Sequence, residues 1–223
     1  MKKAIILFSG GQDSTTCLAY ALQNGYRVTC LSFNYGQKHS IELEQSRIIC
    51  EKFGVELEVV DIRGLFENSA LLQSSEQNVS DNHETFKDLP ASFVPGRNMI
   101  FLSIAGAKAV SRGIDTVITG VCETDYSGYP DCRQRFVDSM RNTINLATES
   151  NLIILTPLMY KSKAETWKMA KDLGVLDIIV DLSHTDYNGN RSEKHEWGYG
   201  VLDNPATVLR AKGYFEAKQN GWL

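Results

Sequence analysis

Ala4 to Phe8 is an unbroken run of five apolar residues that ends directly on Ser9-Gly10-Gly11. A short run that is apolar on both sides of its pleat must be buried on both faces, the condition of a strand inside a parallel sheet. The glycine pair turns the chain out of that strand. The same rhythm continues. Cys17, Leu18, Ala21 and Leu22 fall at helical spacing and Gly25 stops that helix. Val28 to Phe33 reads as a second strand, Ile41 to Phe53 as a second helix closed by Gly54, and Val55 to Ile62 as a third strand. Strand and helix in strict alternation specify an α/β fold, a parallel sheet wrapped by helices.

Residues 63–92, rich in Ser, Asn, Asp and Glu without a clear period, interrupt the pattern as an inserted loop region. Order resumes at Phe93. Met99 to Val110 predicts a helix packed on the sheet, Asp115 to Val121 a fourth strand, and Phe136, Val137, Met140 and Ile144 one face of the next helix. Leu152 to Leu155 predicts a fifth strand. Ser162 and Glu165 form a capping box for a helix through Leu173. Gly, Asn and Pro punctuation beyond residue 180 predicts a small irregular C-terminal appendage. The chain thus divides into an α/β domain over residues 1–180 and an appendage over 181–223.

A chain of 223 residues, 43% hydrophobic and 22% charged, is an ordinary globular protein of one large domain with room for such an appendage. Its net charge of -4 gives no general pull toward nucleic acid or anionic membrane, so a small-molecule substrate fits better than a tRNA. The apolar run at the N-terminus falls short of the roughly 7–15 residues of a signal peptide core. No run approaches the ~20 apolar residues of a spanning helix. The five cysteines form no Cys-x-x-Cys pair, and an odd, scattered set predicts reduced thiols in a cytoplasmic protein.

Ser9-Gly10-Gly11-Gln12-Asp13-Ser14 sits where backbone N–H groups and a helix dipole converge on an anion. Glycine lets the backbone approach phosphate oxygens, and the Ser9, Ser14 and Thr15 hydroxyls add donors. Asp13 repels phosphate, so it is expected to hold a hydrated Mg²⁺ or to cap the helix. No lysine follows the glycines as a Walker loop requires, and the third glycine of a dinucleotide fingerprint is missing. A plain strand-to-helix turn is the bland alternative.

Ser-Gly-Gly-x-Asp-Ser directly after a strand resembles the phosphate loop of the PP-loop ATP pyrophosphatases. Those enzymes cut ATP between the α and β phosphates, and they include NAD and GMP synthetases, tRNA-modifying thiolases and lysidine synthases. Three further stretches are similar to the 7-cyano-7-deazaguanine synthase family within that class: Phe33-Asn34-Tyr35-Gly36-Gln37-Lys38-His39, Phe93-Val94-Pro95-Gly96-Arg97-Asn98, and Thr119 to Arg133. So are Thr156-Pro157-Leu158 and Lys163-Ala164-Glu165-Thr166. The likeness runs from about Ala4 to about Leu173. It implies a five-stranded parallel sheet of the adenine nucleotide α-hydrolase-like, HUP-type Rossmann-like kind. It implies ATP with Mg²⁺, with Phe8 to Thr15 as the nucleotide loop, and a homodimer. The implied reaction adenylates the carboxyl of 7-carboxy-7-deazaguanine, lets ammonia displace AMP, then activates the amide with a second ATP to leave a nitrile.

The same residues make chemical sense unaided, since ligands of open parallel sheets bind beyond the carboxyl ends of the strands. A deazaguanine edge of N–H donors calls for carboxylates, and Glu123, Asp125 and Asp131 are the candidates. Tyr126 and Tyr129 offer flat faces. Arg97, Arg133 and Lys163 suit a carboxylate or phosphates, although Lys163 also simply begins a helix. Tyr35, Gln37, Lys38, His39 and Asn98 complete the candidate substrate residues, and Asp13, Lys163, Arg97 and Arg133 the candidate catalytic ones. Cys122 and Cys132 read as packing or loop residues rather than sulfur carriers.

The chain departs from the family at its C-terminal end, where the family usually carries four zinc-binding cysteines. The surrounding frame is present in Tyr187-Asn188-Gly189, Trp197-Gly198-Tyr199-Gly200 and Leu209-Arg210. The cysteine positions fall on Asp186, Val201, Asn204 and Thr207, which cannot form a sulfur cage, so zinc is not expected. Packing by Trp197, Val201, Leu202 and Tyr214 is the expected replacement. His184, Asp186, His195 and Asp203 match no known metal spacing. Two other readings remain: a PP-loop ligase that stops at the amide or serves another acceptor, tRNA included, and a nucleotide-binding relic without catalysis.

Overall fold

The computed structural model describes residues 2–37, 41–67, 69–72, 75, 81–83, 85–124 and 128–223. Five parallel strands form the central sheet: β1 (Lys2–Leu7), β2 (Tyr26–Asn34), β3 (Glu56–Asp61), β4 (Thr116–Ile118) and β5 (Ile153–Leu155), in the order β3-β2-β1-β4-β5. The expected strands are all present, with β4 shorter than the apolar run that announced it. Alternation within β1 feeds two cores. Ile5 points to one face with Leu31 and Phe33 of β2, while Ala4 and Ile6 point to the other with Val28 and Cys30. Every one of these side chains is buried, which is why the strands read as continuous apolar runs rather than as an alternation.

Helices α1 (Gln12–Gln23) and α2 (Ile41–Phe53) cover the second face through Cys17, Leu18, Ala21 and Ile49. Helices α3 (Arg97–Ser111) and α4 (Gln134–Thr148) cover the first through Leu102, Ala105, Val137, Met140 and Ile144. The predicted capping box opens α5 (Lys163–Asp172): the Ser162 hydroxyl accepts from the Glu165 N–H at 3.2 Å, and the Glu165 carboxylate accepts from the Ser162 N–H at 2.7 Å.

Beyond residue 180 the expectation of irregularity fails. Helix α6 (Leu176–Leu182), a short antiparallel pair β6 (Lys194–His195) and β7 (Gly198–Tyr199), and the 15-residue helix α7 (Pro205–Gln219) occupy this end. The buried face of α7 is made of Thr207, Arg210, Ala211, Gly213 and Ala217, with no large aliphatic residue to announce a helical period. Trp197, Ala211 and Ala217 share one core with Ala19 of α1 and Trp167 of α5, so this end packs directly on the α/β layer. Arg210, fully buried, holds it together by donating to the backbone carbonyls of Trp197 and Ile179 and to the hydroxyls of Ser183 and Thr185, all at 2.8–2.9 Å. Burial pushes its pKa down to about 9.

On the sheet's open flank Glu58 of β3 accepts from Lys108 at 2.5 Å and Arg112 at 2.7 Å, tying β3 to α3. The Lys108 bond is the larger cause holding the Glu58 carboxyl below its ordinary value of 4.5. A depressed carboxylate stabilises the fold above its unfolded pKa and loses that contribution as pH falls through the folded one. Glu58→Gln is therefore expected to cost about 0.5–1 kcal/mol at neutral pH, given the partial exposure of all three groups, and progressively less below about pH 4.5; urea melts at pH 7 and pH 3.5 read the difference.

Candidate active site

The strand order reverses between β1 and β4, the switch point where open α/β sheets bind ligands. The loop Ser9–Ser14 leaves β1 at that point. Gly10 has φ +72°, and a Cβ there would lie 2.8 Å from both the backbone nitrogen and the hydroxyl of Ser46 in α2. Gly11 caps α1 and passes so close to the 184 segment that a Cβ would sit 3.2 Å from the His184 carbonyl. From the other side of the switch point, Gly120 brings the end of β4 against the loop, its would-be Cβ 3.2 Å from the Asp13 backbone. Three glycines thus let three chain segments converge without side chains between them.

Ser9 and Ser14 hydroxyls contact each other at 3.2 Å, and the Ser14 hydroxyl also accepts from the Ser9 N–H at 3.3 Å. These bonds hold the loop curled over the start of α1. The Gln12 side-chain nitrogen is buried at the cavity wall without a hydrogen-bond partner among the described residues. Such a donor is stabilised by an incoming acceptor. Thr15 is fully buried within α1 and lies off the wall, so its hydroxyl is not a loop donor as expected.

Asp13 makes no side-chain cap on its helix. Both carboxylate oxygens accept from Lys163 Nζ, at 3.0 and 2.9 Å. Lys163 is the first residue of α5, as its position after the capping box requires, and its side chain is 11% exposed. What aims it is Gly213 of α7. A Cβ on that glycine would stand 2.6 Å from Lys163 Cγ and 2.7 Å from its Cβ. Lys163 thus begins α5 and also lines the cavity beside Asp13.

A cavity of about 900 Å³ runs from this loop to a second polar cluster. Tyr35, Gln37, Arg97, Asn98 and Tyr129, all candidates from the sequence, line it. The Arg97 guanidinium lies 5.8 Å over the Tyr35 ring. Burial works to lower the Arg97 pKa, but Tyr35, Tyr129, Tyr187 and Asp131 hold it above the usual guanidinium value, so it stays charged. Burial, with Glu42 adding to it, pushes the Tyr35 phenol up to about 12. Burial likewise raises Tyr129 and Tyr187. The cluster is a cation with phenols and the Glu42 carboxyl around it, suited to a flat ligand that carries both a negative charge and N–H donors.

Other candidates serve elsewhere. Asp131 accepts from the Asn98 N–H at 3.2 Å at the start of α3, and Glu123 accepts from the Gln134 N–H at 3.0 Å at the start of α4. Both are caps, off the cavity wall, because unpaired N–H groups at a helix start recruit nearby carboxylates. Arg133 is the residue before α4, with its guanidinium 3.5 Å from the Gly128 carbonyl, and is also off the wall. Lys38, His39, Asp125 and Tyr126 lie outside the described residues. Cys122 and Cys132 reach the cavity but are engaged by the Lys161 carbonyl and by Asn98, and all five cysteines are thiols.

The residues overlooked are Glu42 and Tyr187. Glu42 sits in the first turn of α2, lines the cavity, and has its carboxyl raised by burial against the pull of Arg97. In sequence it is one of three glutamates on a helix and carries no distinguishing signal. Tyr187 stood in the recognised Tyr-x-Gly frame, which placed it in the lost metal module rather than opposite Arg97.

Gly213→Ala should test the Lys163 arrangement. Alanine ordinarily favours a helix interior by about 1 kcal/mol over glycine. Here the added methyl collides with Lys163, so a net loss of about 1–3 kcal/mol is expected, together with weakened ATP binding by calorimetry. A stabilised variant with unchanged ATP affinity would remove the proposed role for this contact.

A family model described as queuosine biosynthesis protein QueC matches residues 3–218. A 7-cyano-7-deazaguanine synthase of Wolinella succinogenes is 46% identical over 215 residues, which cover 96% of this chain and 92% of that protein. Proteins of the same name from Clostridium botulinum and Caulobacter vibrioides are 46% and 44% identical, each over 96% of this chain and over 95% and 92% of their own lengths. Among solved structures, NMN synthetase from Francisella tularensis aligns with a TM-score of 0.52 at 16% identity, over 98% of this chain and 85% of that one, a likeness of fold. With the match spanning nearly every residue from β1 to the end of α7, the chain belongs to the queuosine biosynthesis protein QueC family.

Proposed function

We propose that this chain is an ATP-dependent ligase that converts 7-carboxy-7-deazaguanine and ammonia to 7-cyano-7-deazaguanine by way of an adenylated acid and an amide. The observation that carries the reading is that one cavity joins a phosphate loop at the sheet's switch point to a half-buried cation flanked by tyrosines. ATP fits the first end. The Ser9 hydroxyl and the Gln12 amide line the cavity there at the start of α1, and a Cβ at Gly10 or Gly11 would crowd the segments that form it. Its relatives' shared name supports the second end.

Each residue then has a chemical task. Arg97 holds the negative charge of the acid while Tyr35 and Tyr129 flank the bicyclic ring. Glu42, on the cavity wall near Arg97, accepts from the ring's N–H edge, while Glu123 and Asp131 are committed to helix starts. Lys163, positioned by Asp13 and Gly213, sits beside the loop where charge builds on the departing pyrophosphate. Catalysis here is positioning and charge stabilisation, with no covalent nucleophile required. Mg²⁺ would arrive on the triphosphate; with Lys163 on both Asp13 oxygens, the described residues form no cluster that would cage it. The same reading makes the protein a cytoplasmic homodimer acting on small molecules, without a nucleic-acid or membrane partner; among the described residues no helix is long and apolar enough to cross a membrane.

Incubation with ATP, ammonium and the deazapurine acid, with products read by mass, should give the nitrile with AMP and pyrophosphate. Amide alone would support the reading of a shortened reaction, and ADP or no nucleotide consumption would sink the assignment. Glu42→Gln should raise KM for the acid by about tenfold or more while leaving KM for ATP near its original value, since a buried acceptor lost to its donor costs about 1–3 kcal/mol. Equal effects on both substrates would argue that Glu42 only supports the fold.

A further inference from the structure

Asp186, Val201, Asn204 and Thr207, the positions at which the family usually places zinc-binding cysteines, are brought together here by hydrogen bonds alone. The Asp186 carboxylate accepts from the Val201 N–H at 3.0 Å through one oxygen, and from the Asn204 amide at 3.1 Å and the Asn188 N–H at 2.7 Å through the other. The Asn204 side-chain carbonyl accepts from the Thr207 N–H at 3.2 Å, capping α7. The Thr207 hydroxyl donates to the Val201 carbonyl at 2.6 Å and closes the ring. Asp186, Asn204 and Thr207 are each 2% exposed or less. Gly200, at φ +141°, makes room for the close approach, its would-be Cβ 2.9 Å from Thr207 and 3.3 Å from Asp186.

This donor set does not suit zinc. One carboxylate, one amide, one hydroxyl and a valine replace four thiolates, and the carboxylate and the amide are already committed to N–H donors. Nor is the replacement apolar, as expected from the sequence: Leu202 is 56% exposed, while Trp197 and Tyr214 belong to the core beneath α5. His184 and His195 do not rebuild a metal site. The His184 ring meets the Asp186 carbonyl at 2.7 Å, and the His195 ring stacks on Trp197 and meets the Gly200 carbonyl.

The ring is joined to the site at both ends of the cavity. The segment it anchors runs through His184, whose N–H donates to the Gly10 carbonyl of the phosphate loop at 3.1 Å, and through Tyr187, which faces Arg97 and Tyr129. Asp186 itself lies on the cavity wall between them. We infer that the ring Asp186–Asn204–Thr207–Val201 is a metal-free staple that replaces the family's zinc module and makes Asp186 a positioning residue for the phosphate loop and Tyr187. In physical terms, a metal fixes four chain positions through strong bonds to one centre. Here a buried carboxylate does so by collecting donors from three separate points of the chain, Asn188, Val201 and Asn204. The ATP readout below rests on the proposed function; the metal and melting readouts do not.

The test uses the full-length protein from zinc-supplemented culture. Wild type should carry no stoichiometric zinc by elemental analysis, with a melting temperature unmoved by EDTA. Asp186→Asn, which leaves one backbone donor facing an amide NH₂, should lower the melting temperature by about 4 °C or more and raise the dissociation constant for ATP roughly tenfold. Thr207→Val, a milder and near-isosteric change, should move both in the same direction by less. Changing all four positions to cysteine (D186C, V201C, N204C, T207C) should create binding of one cobalt, with thiolate charge-transfer bands, and restore ATP affinity toward wild type. Stoichiometric zinc in wild type with an EDTA-sensitive melt would overturn the inference. So would Asp186→Asn and Thr207→Val variants that keep both melting temperature and ATP affinity, or a folded cysteine variant that binds no metal. If wild type binds no ATP, the functional reading fails, and the metal and melting results still judge the staple.

Discussion

The convergence of three chain segments on Gly10, Gly11 and Gly120 is the constraint on which the rest of this structure depends. Ser46 of α2, the His184 segment and the end of β4 all approach a loop that has no side chain to keep them apart. Each approach decides something at a distance. Ser46 fixes α2, and with it Glu42 one turn earlier on the cavity wall. His184 ties the C-terminal end to the loop through the Gly10 carbonyl. Gly120 sets the edge from which the strand-four segment departs toward Tyr129. An alanine at any of the three would disturb an anion site and a fold contact together.

A second logic runs through the charges. Asp13 in the first turn of α1 favours the helix dipole but opposes a phosphate, and Lys163 neutralises it at 2.9 Å. Arg97 is half-buried on the cavity wall, with phenols and the Glu42 carboxyl near it, and its charge faces the cavity. Arg210 is fully buried, donates to carbonyls and hydroxyls, and serves the fold. Two arginines thus do different work because of what surrounds them. The first faces a cavity with a planar aromatic neighbour, and the second is closed over by α6, β7 and α7.

Local sequence carried the sheet well. β1, β2 and β3 and the capping box at Ser162 each rest on a few adjacent residues whose chemistry admits one solution. The Ser9–Ser14 turn was equally legible as the connection from β1 to α1, because a glycine pair directly after a strand turns the chain into the helix. The carboxylates were another matter. Glu123 and Asp131 looked like ligands for N–H donors and are just that, but the donors belong to helices α4 and α3. Helix α7 was unreadable because its buried face is built from Thr, Arg, Ala and Gly, which have no apolar period.

The order of apolar runs, turns and caps along this chain was enough, by itself, to determine the parallel α/β sheet, the place of its phosphate loop and the absence of thiolates at four C-terminal positions. Only the tertiary structure decided which carboxylate reaches the cavity, that Gly213 aims Lys163 at Asp13, and that a polar ring closes where cysteines would bind a metal. The physical reason is range. Strands, caps and glycine turns are specified by neighbours a few residues apart, whereas a side chain's partner in a buried network is chosen by whatever the packing of distant segments leaves unsatisfied beside it.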